Sequence, residues 1–163
     1  MKKTFFIFAF TTFATITSFA QTKTEAKNIF ANSYDNVNDF EKILNPTQVK
    51  TLNETLKSFE TKTGNKIIII TISATPSYSD LTSYAEDLDR YLRIGLKLDP
   101  SILFVVSKEL RQIQILGVDK IHEKLSNAEI ESIIKTYVVP ELKKGDYYKG
   151  LETGSAQIIK KLE

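Results

Sequence analysis

Two short apolar runs constrain the fold more than any other feature of this sequence. Lys66 is followed by four consecutive isoleucines, Thr71 and Ile72, and a second run of five apolar residues spans 102–106. Neither run alternates apolar with polar residues, which is typical of strands buried on both faces of a sheet. Such strands need helices above and below them. The two runs therefore predict an α/β protein, a three-layer α/β/α sandwich.

Helical patterns and a hairpin surround these two strands. Asn45-Pro46-Thr47-Gln48 combines an N-cap residue, a proline suited to the first turn and a capping-box partner, and Gly64 is suited to end the helix that follows. A second helix is predicted over about 79–93. Residues 112–115 alternate with period two and are expected to pair antiparallel with the second buried strand, which makes the sheet small and mixed. The predicted order is helix, strand, helix, strand, strand, helix, helix.

The N-terminal residues have the pattern of a cleaved signal peptide. Lys2 and Lys3 form a basic start, residues 5–19 carry no charge, and Ser18-Phe19-Ala20 places small residues at both positions that a signal peptidase recognises. An uncleaved membrane anchor is the alternative, but threonines and serines interrupt the run, and about 20 strongly apolar residues are needed to cross a bilayer. The sequence predicts a signal peptide at 1–20, a flexible tether at 21–34 and a folded domain at 35–163.

Composition narrows the environment and the partners. The chain has no cysteine, so it has neither disulfides nor a thiol nucleophile. Its formal charge of +2 equals the contribution of Lys2 and Lys3, which leaves the rest of the chain balanced. This balance argues against a nucleic-acid partner. We expect a monomeric periplasmic or secreted protein with no membrane insertion after signal cleavage, and with envelope proteins as its partners.

Catalytic motifs are mostly missing. The sequence has no G-x-S-x-G elbow, no P-loop and no dinucleotide-binding glycine pattern, and His122 is the only histidine. A zinc site usually needs several histidine or cysteine ligands. Carboxylates, hydroxyls and basic side chains remain, and these suit hard cations such as Ca²⁺ or Mg²⁺. No organic cofactor is expected.

Three residues are candidates for a working site at the rim of the sheet. Asp39 precedes the first helix, Asp99 precedes the second buried strand, and Arg111 lies in the hairpin. Asp39 and Asp99 are candidate metal ligands, and Arg111 is a candidate catalytic residue that would pair with a carboxylate or a phosphate. Each has a structural alternative: an Asx turn for Asp39, the start of a turn for Asp99, and a solvated hairpin charge for Arg111.

Taken together, several motifs resemble the TPM domain. The resemblance covers about 35–163 and rests on the order and spacing of Val37-Asn38-Asp39, Asn45-Pro46, Gly64, Tyr84-Ala85, Ile94-Gly95-Leu96-Lys97, Asp99, Pro140 and Gly145-Asp146-Tyr147-Tyr148-Lys149-Gly150-Leu151. It implies a Rossmann-like sandwich, an acidic pocket above the sheet that holds divalent cations, and weak phosphatase activity in some members. By position, Asp39 and Asp99 fall on the family's acidic motifs and Arg111 on its hairpin arginine.

The chain also departs from the family pattern. Pro100-Ser101 replaces the usual Asn-Gly after Asp99, Leu110 replaces an aspartate, Leu92 replaces an aromatic residue, and one glycine is lost at Gly117-Val118-Asp119. Two functions therefore stand side by side. The first is a non-catalytic binding or assembly module of the cell envelope. The alternative is a weak acid phosphatase that depends on a divalent cation, with Asp39 and Asp99 as metal ligands.

Overall fold

The computed structural model describes residues 30, 32–117 and 121–163. Four strands form one sheet in the order β1-β2-β3-β4. β1 pairs parallel with β2, β2 pairs parallel with β3, and β3 pairs antiparallel with β4. The strands are β1 (Val37–Asp39), β2 (Ile67–Thr71), β3 (Ile102–Ser107) and β4 (Gln112–Gly117). The predicted mixed sheet is confirmed.

The helices follow the predicted order, with two local departures from regular α-helix. A π-helical turn at Tyr91–Gly95 extends the second helix, and another at Ile134–Val138 joins the third helix to the fourth. The α-helices are α1 (Pro46–Thr63), α2 (Leu81–Arg90), α3 (Asn127–Ile133), α4 (Val139–Lys143) and α5 (Tyr147–Leu162). Each π-helical turn inserts a residue and so rotates the face that the following turn presents.

Helix α1 shows how local sequence sets the element bounds. The Asn45 side chain accepts a hydrogen bond from the Gln48 backbone N–H, and the Gln48 side chain accepts one from the Asn45 backbone N–H. This reciprocal capping satisfies donors that the first turn leaves unpaired. At the other end Gly64 takes the left-handed conformation, with φ of 72°, and its N–H donates to the Glu60 carbonyl. Glycine adopts that conformation without strain.

Helices cover both faces of the sheet, which confirms the predicted three-layer sandwich. The strand residues Ile67–Ile70 are at most 1% exposed, and residues 102–106 are fully buried. Helices α1, α3 and α5 pack on one face around Ile69 and Phe104. Helix α2 packs on the opposite face around Ile68 and Leu103. Two uniformly apolar strands are therefore enclosed from both sides, as their sequence indicates.

Two predictions need correction at the N-terminal side of the domain. The predicted element order began with a helix, but strand β1 comes first, because its three residues pair with Ile69–Thr71 of β2. The tether predicted for 21–34 is also shorter than expected. Phe30 is only 7% exposed among the rings of Tyr78, Tyr84 and Tyr91, and the Tyr34 hydroxyl donates to the Phe30 carbonyl. The predicted signal peptide lies outside the described residues.

Candidate functional site

The chain leaves the carboxyl ends of β1 and β2 in opposite directions. The connection after β1 leads to α1 on one face of the sheet, and the connection after β2 leads to α2 on the other face. Adjacent parallel strands whose connections diverge in this way leave a gap where α/β proteins commonly bind ligands. Asp39 ends β1 and pairs in register with Thr71, which ends β2. Asp39 therefore lies at the end of the parallel strands from which these two connections diverge.

The Asp39 carboxylate is engaged by three donors of the protein itself. The Thr71 hydroxyl donates to Oδ1 at 2.5 Å, the Ile43 backbone N–H donates to the same oxygen at 3.1 Å, and the Leu44 backbone N–H donates to Oδ2 at 2.8 Å. Both carboxylate oxygens therefore hold the connection between β1 and α1 against the end of β2. The Asp39 side chain thus closes a loop onto backbone groups four and five residues later and ties it to a second strand.

Asp99 lies near the amino ends of the parallel strands, at the opposite end of the sheet from Asp39. Ile102, three residues later, starts β3 and pairs with Ile67 at the start of β2, whereas Asp39 pairs with Thr71 at its end. The length of β2 therefore separates the two levels, which is about 13 Å for four steps of 3.3 Å. The Asp99 carboxylate accepts a hydrogen bond of 3.0 Å from Arg93 Nη1.

This separation corrects the prediction of a shared cation site. The metal–oxygen distances of Ca²⁺ and Mg²⁺ are about 2–2.6 Å, so no single ion contacts both Asp39 and Asp99. Across the described residues, no three histidine, cysteine, aspartate or glutamate side chains are grouped so that they could hold a metal. The predicted pair does not fit a bound cation.

Arg111 lies at the same end of the sheet as Asp39, beyond the carboxyl ends of the parallel strands. It is the last residue of the 108–111 turn between β3 and β4, its side chain is exposed, and its φ is 53°, in the left-handed region. The turn is held from the β1 side, because the Glu41 carboxylate accepts hydrogen bonds of 2.8 Å from the backbone N–H groups of Lys108 and Glu109. The structure thus places Asp39 and Arg111 at the carboxyl end of the parallel strands and Asp99 at the amino end.

A groove beside Arg111 was missed by the sequence reasoning. It has a volume of about 730 Å³ and separates the β3–β4 hairpin from the end of α4 and the start of α5. Its cationic residues outnumber its one glutamate, Glu109; the cationic residues are Lys108, Arg111, Lys143 and Lys144. We call this groove the basic groove. Partial burial raises the pKa of Tyr147 in its wall; the charge of Glu41 adds to this rise and that of Arg111 opposes it. Lys143-Lys144 before the helix start at Asp146 was the signal available in the sequence.

Large apolar side chains are also exposed at the carboxyl end of the parallel strands. Phe40, directly after Asp39, is 44% exposed, and Leu110 in the hairpin turn is 38% exposed. The Tyr34 ring meets the Phe40 ring edge-on at 5.8 Å and supports it from the protein side. Aromatic side chains such as Phe40 are enriched in interfaces between proteins.

The described residues form a small α/β/α domain. The TPM domain family matches residues 37–161. The chain belongs to the TPM domain family. No curated protein sequence matches it. None of the helices in the described part of the chain is long and apolar enough to cross a membrane.

Solved structures from three bacteria are similar in fold. The N-terminal domain of a P. gingivalis protein is 19% identical with a TM-score of 0.70, and the match covers 81% of this chain and 84% of that one. The N-terminal domain of a Corynebacterium glutamicum protein is 12% identical with a TM-score of 0.60, covering 82% and 83%. A protein from the psychrophilic bacterium Bizionia argentinensis is 20% identical with a TM-score of 0.60, covering 76% and 83%. At these identities the similarity supports the fold alone.

Proposed function

We propose that this chain is an exported TPM-domain protein that acts as a non-catalytic binding module on proteins of the cell envelope. Export is supported by the N-terminal sequence, where a basic start, an uncharged apolar stretch and Ser18-Phe19-Ala20 follow one another. Cleavage after Ala20 would release the domain to the periplasm or the cell exterior.

One observation carries the non-catalytic assignment. The Asp39 carboxylate, at the carboxyl end of β1, receives three hydrogen bonds from Thr71, Ile43 and Leu44. A carboxylate whose two oxygens already hold the backbone is poorly placed to act as a general base, because proton transfer would break contacts that maintain the fold. The other predicted carboxylate, Asp99, is bound by Arg93 at the far edge.

The binding assignment is supported by the surface at the carboxyl end of the parallel strands, where Asp39 lies. Phe40 and Leu110 are exposed at the carboxyl ends of the parallel strands, and the turn that carries Leu110, which also lines the basic groove, is fixed by Glu41. A pre-ordered surface loses less conformational entropy on association than a flexible one.

A turnover assay tests this proposal against the phosphatase alternative. The specific observation that favours the alternative is the basic groove, because arginine and lysine side chains suit a phosphate group. The purified chain is assayed with p-nitrophenyl phosphate from pH 4.5 to 8, with Mg²⁺, Ca²⁺ or Mn²⁺ and with chelator. We expect no turnover above the buffer rate. Turnover that Arg111→Gln abolishes while the fold is kept would replace the binding module with the phosphatase.

A thermal melt of the same purified chain tests cation binding. A cation bound at a hundred times its dissociation constant stabilises the folded state by about 2.7 kcal/mol, which a thermal melt detects readily. We expect no shift of the melting temperature with Ca²⁺ or Mg²⁺.

N-terminal sequencing tests export. The chain recovered from the periplasm or the medium should begin at Gln21; a chain retained in the cytoplasm with Met1 intact would contradict export.

A further inference from the structure

Strand β4 offers a free edge for another polypeptide. It is the last strand in the sheet order, and within the part of the chain that the structure describes no strand pairs with its outer side. Natural sheet edges are usually blunted by lysine, proline or a bulge. The six residues of β4 read Gln-Ile-Gln-Ile-Leu-Gly and contain none of these residues. The sequence of β4 therefore lacks the residue types that usually discourage pairing at an edge.

The hydrogen-bond pattern shows which residues face outward. The Val106 carbonyl accepts a hydrogen bond of 2.9 Å from the Ile72 N–H, so the backbone of Val106 is directed toward the β2 side. Val106 is opposite Ile113 in the antiparallel ladder, which makes them a non-hydrogen-bonded pair. The backbone groups of Ile113 therefore point away from β3, out of the sheet. The same parity applies to Ile115 and Gly117, opposite Phe104 and Ile102.

These outward groups have no partner among the described residues. Neither the N–H nor the carbonyl of Ile113, Ile115 or Gly117 takes part in a hydrogen bond within the described ranges outside the β3–β4 ladder. Three alternate residues with this orientation match the two-residue repeat of an added strand. Main-chain hydrogen bonds to such an edge provide affinity, and side-chain pockets beside it provide specificity.

Two grooves lie beside this strand. One, of about 400 Å³, lies toward the end of β4, and the other is the basic groove at the hairpin. Their second wall is one face of the helical segment 127–143. The residues of that face recur at helical spacing beside β4; they are Asn127, Ile130, Glu131 and Ile134 at one end and Val139, Leu142 and Lys143 at the other. An edge strand facing a helix across a groove accommodates one extended chain.

We infer that β4 binds an extended segment of a partner protein as a fifth strand, with acidic residues of that segment in the basic groove. The inference rests on the proposed function, since it names the partner chemistry of the binding module. The charge argument comes from the basic groove at the hairpin, where Lys108, Arg111, Lys143 and Lys144 converge. An acidic segment placed there gains attraction that a basic segment does not.

Labelled peptides test strand addition directly. The probe is an acetylated eight-residue peptide of alternating valine and threonine that ends in two aspartates, added to the purified full chain and followed by fluorescence anisotropy. The matched probes end in two lysines or carry N-methyl groups on alternate residues. We expect the N-methylated and lysine-ended peptides each to bind at least tenfold more weakly. Equal binding of the N-methylated peptide, or no binding of the parent peptide at millimolar concentration, would overturn strand addition.

Protein variants locate the site. Ile113→Pro removes one outward N–H and leaves the ladder to β3 intact, as proline is tolerated at a sheet edge in that orientation; Ile113→Val is its control. We expect a tenfold loss of peptide affinity for the proline variant alone. Slowed amide exchange at Ile113, Ile115 and Gly117 of the unmodified chain on peptide addition gives the same answer if Ile113→Pro does not fold. Unchanged exchange there would place the peptide elsewhere and overturn the inference.

Two further outcomes separate competing explanations. A doubled mass in light scattering without peptide, lost in Ile113→Pro, would show that a second copy of this chain occupies the edge and would overturn the partner segment. A chain that hydrolyses p-nitrophenyl phosphate but binds the peptide overturns the proposed function alone. A chain without turnover that does not bind the peptide overturns strand addition alone.

Discussion

Glu41 and Lys108 meet at the carboxyl edge of the sheet, where the Lys108 backbone N–H donates a hydrogen bond of 2.8 Å to the Glu41 carboxylate. The two residues are 67 positions apart in the chain. The next N–H, that of Glu109, donates to the other oxygen of the same carboxylate. A single side chain after β1 thus caps the turn between β3 and β4, and it fixes the end of β1 relative to that turn.

Removing this contact should loosen the hairpin. Glu41→Ala leaves two backbone N–H groups without their charged acceptor, and we expect the free energy of unfolding to fall by about 1–2 kcal/mol. Glu41→Gln keeps one acceptor oxygen and should lose about half as much. Urea denaturation of both variants measures the difference. An unchanged midpoint for Glu41→Ala would contradict the capping role.

Asp39 should behave as a structural residue. Asp39→Asn replaces one acceptor oxygen with a donor facing backbone N–H groups, and we expect a loss of about 2 kcal/mol in stability. Thr71→Val should lose part of this amount, whereas Thr71→Ser keeps the hydroxyl and serves as the control. Added Ca²⁺ or Mg²⁺ should leave these differences unchanged. A loss that appears only with cation present would instead support metal binding at Asp39.

Arg111 stores backbone strain that glycine would relieve. Its φ of 53° is in the left-handed region, which costs a residue with a Cβ about 1–2 kcal/mol. Glycine adopts this conformation freely but loses more backbone entropy on folding, so Arg111→Gly should gain up to about 1 kcal/mol. Arg111→Ala keeps the strain and should show no such gain. Thermal melts of the two variants compare these effects.

Acid should weaken the anchoring of α3. The hydrogen bond from Lys161, together with those from Ser126, lowers the pKa of Glu129 from 4.5 to about 2. A carboxyl whose pKa is lower in the folded state stabilises the fold above its ordinary pKa and loses that effect as pH falls. The stability difference between the unmodified chain and Glu129→Gln should be constant from pH 7 to 5 and shrink between about pH 4.5 and 2. Lys161→Met should reduce this pH dependence.

Close packing of α5 on the π-helical turn at 134–138 gives a test by double substitution. A Cβ at Gly154 would lie 2.5 Å from Val138 Cγ2, and Val138 is fully buried. Gly154→Ala should therefore destabilise the domain by about 1–3 kcal/mol through overpacking. Adding Val138→Ala removes the clashing methyl groups, so the double variant should be more stable than the sum of the single losses predicts. Strict additivity in denaturant unfolding would show that the two sites do not touch.

The layers of the fold were predictable because their signals are local. The isoleucine run of β2, the capping residues Asn45 and Gln48, and Gly64 each determine a conformation from neighbouring residues alone. Strand β1 was not predictable in this way. Its three residues are too few to show a period, and their conformation depends on pairing with Ile69–Thr71, about thirty positions away.

Only half of the site geometry followed from the sequence. Asp39 ends one parallel strand and Asp99 precedes another, so parallel pairing alone places them at opposite edges; the prediction of a shared site overlooked this once β1 was missed. The basic groove depends on where the π-helical turn directs α4, and no local pattern predicts that insertion. Export, the absence of cation binding and the partner remain predictions.

The burial of Phe30 sets a limit on where this domain can be cut. One face of the sheet is covered by three helices, whereas the other is covered by α2 and the aromatic cluster around this ring. A chain trimmed to residue 37, where the family match begins, would lack the ring and expose the tyrosines around it. Amides of α2 should then exchange with solvent well before those of α1 and α5, as a layer that opens while the rest of the molecule stays folded.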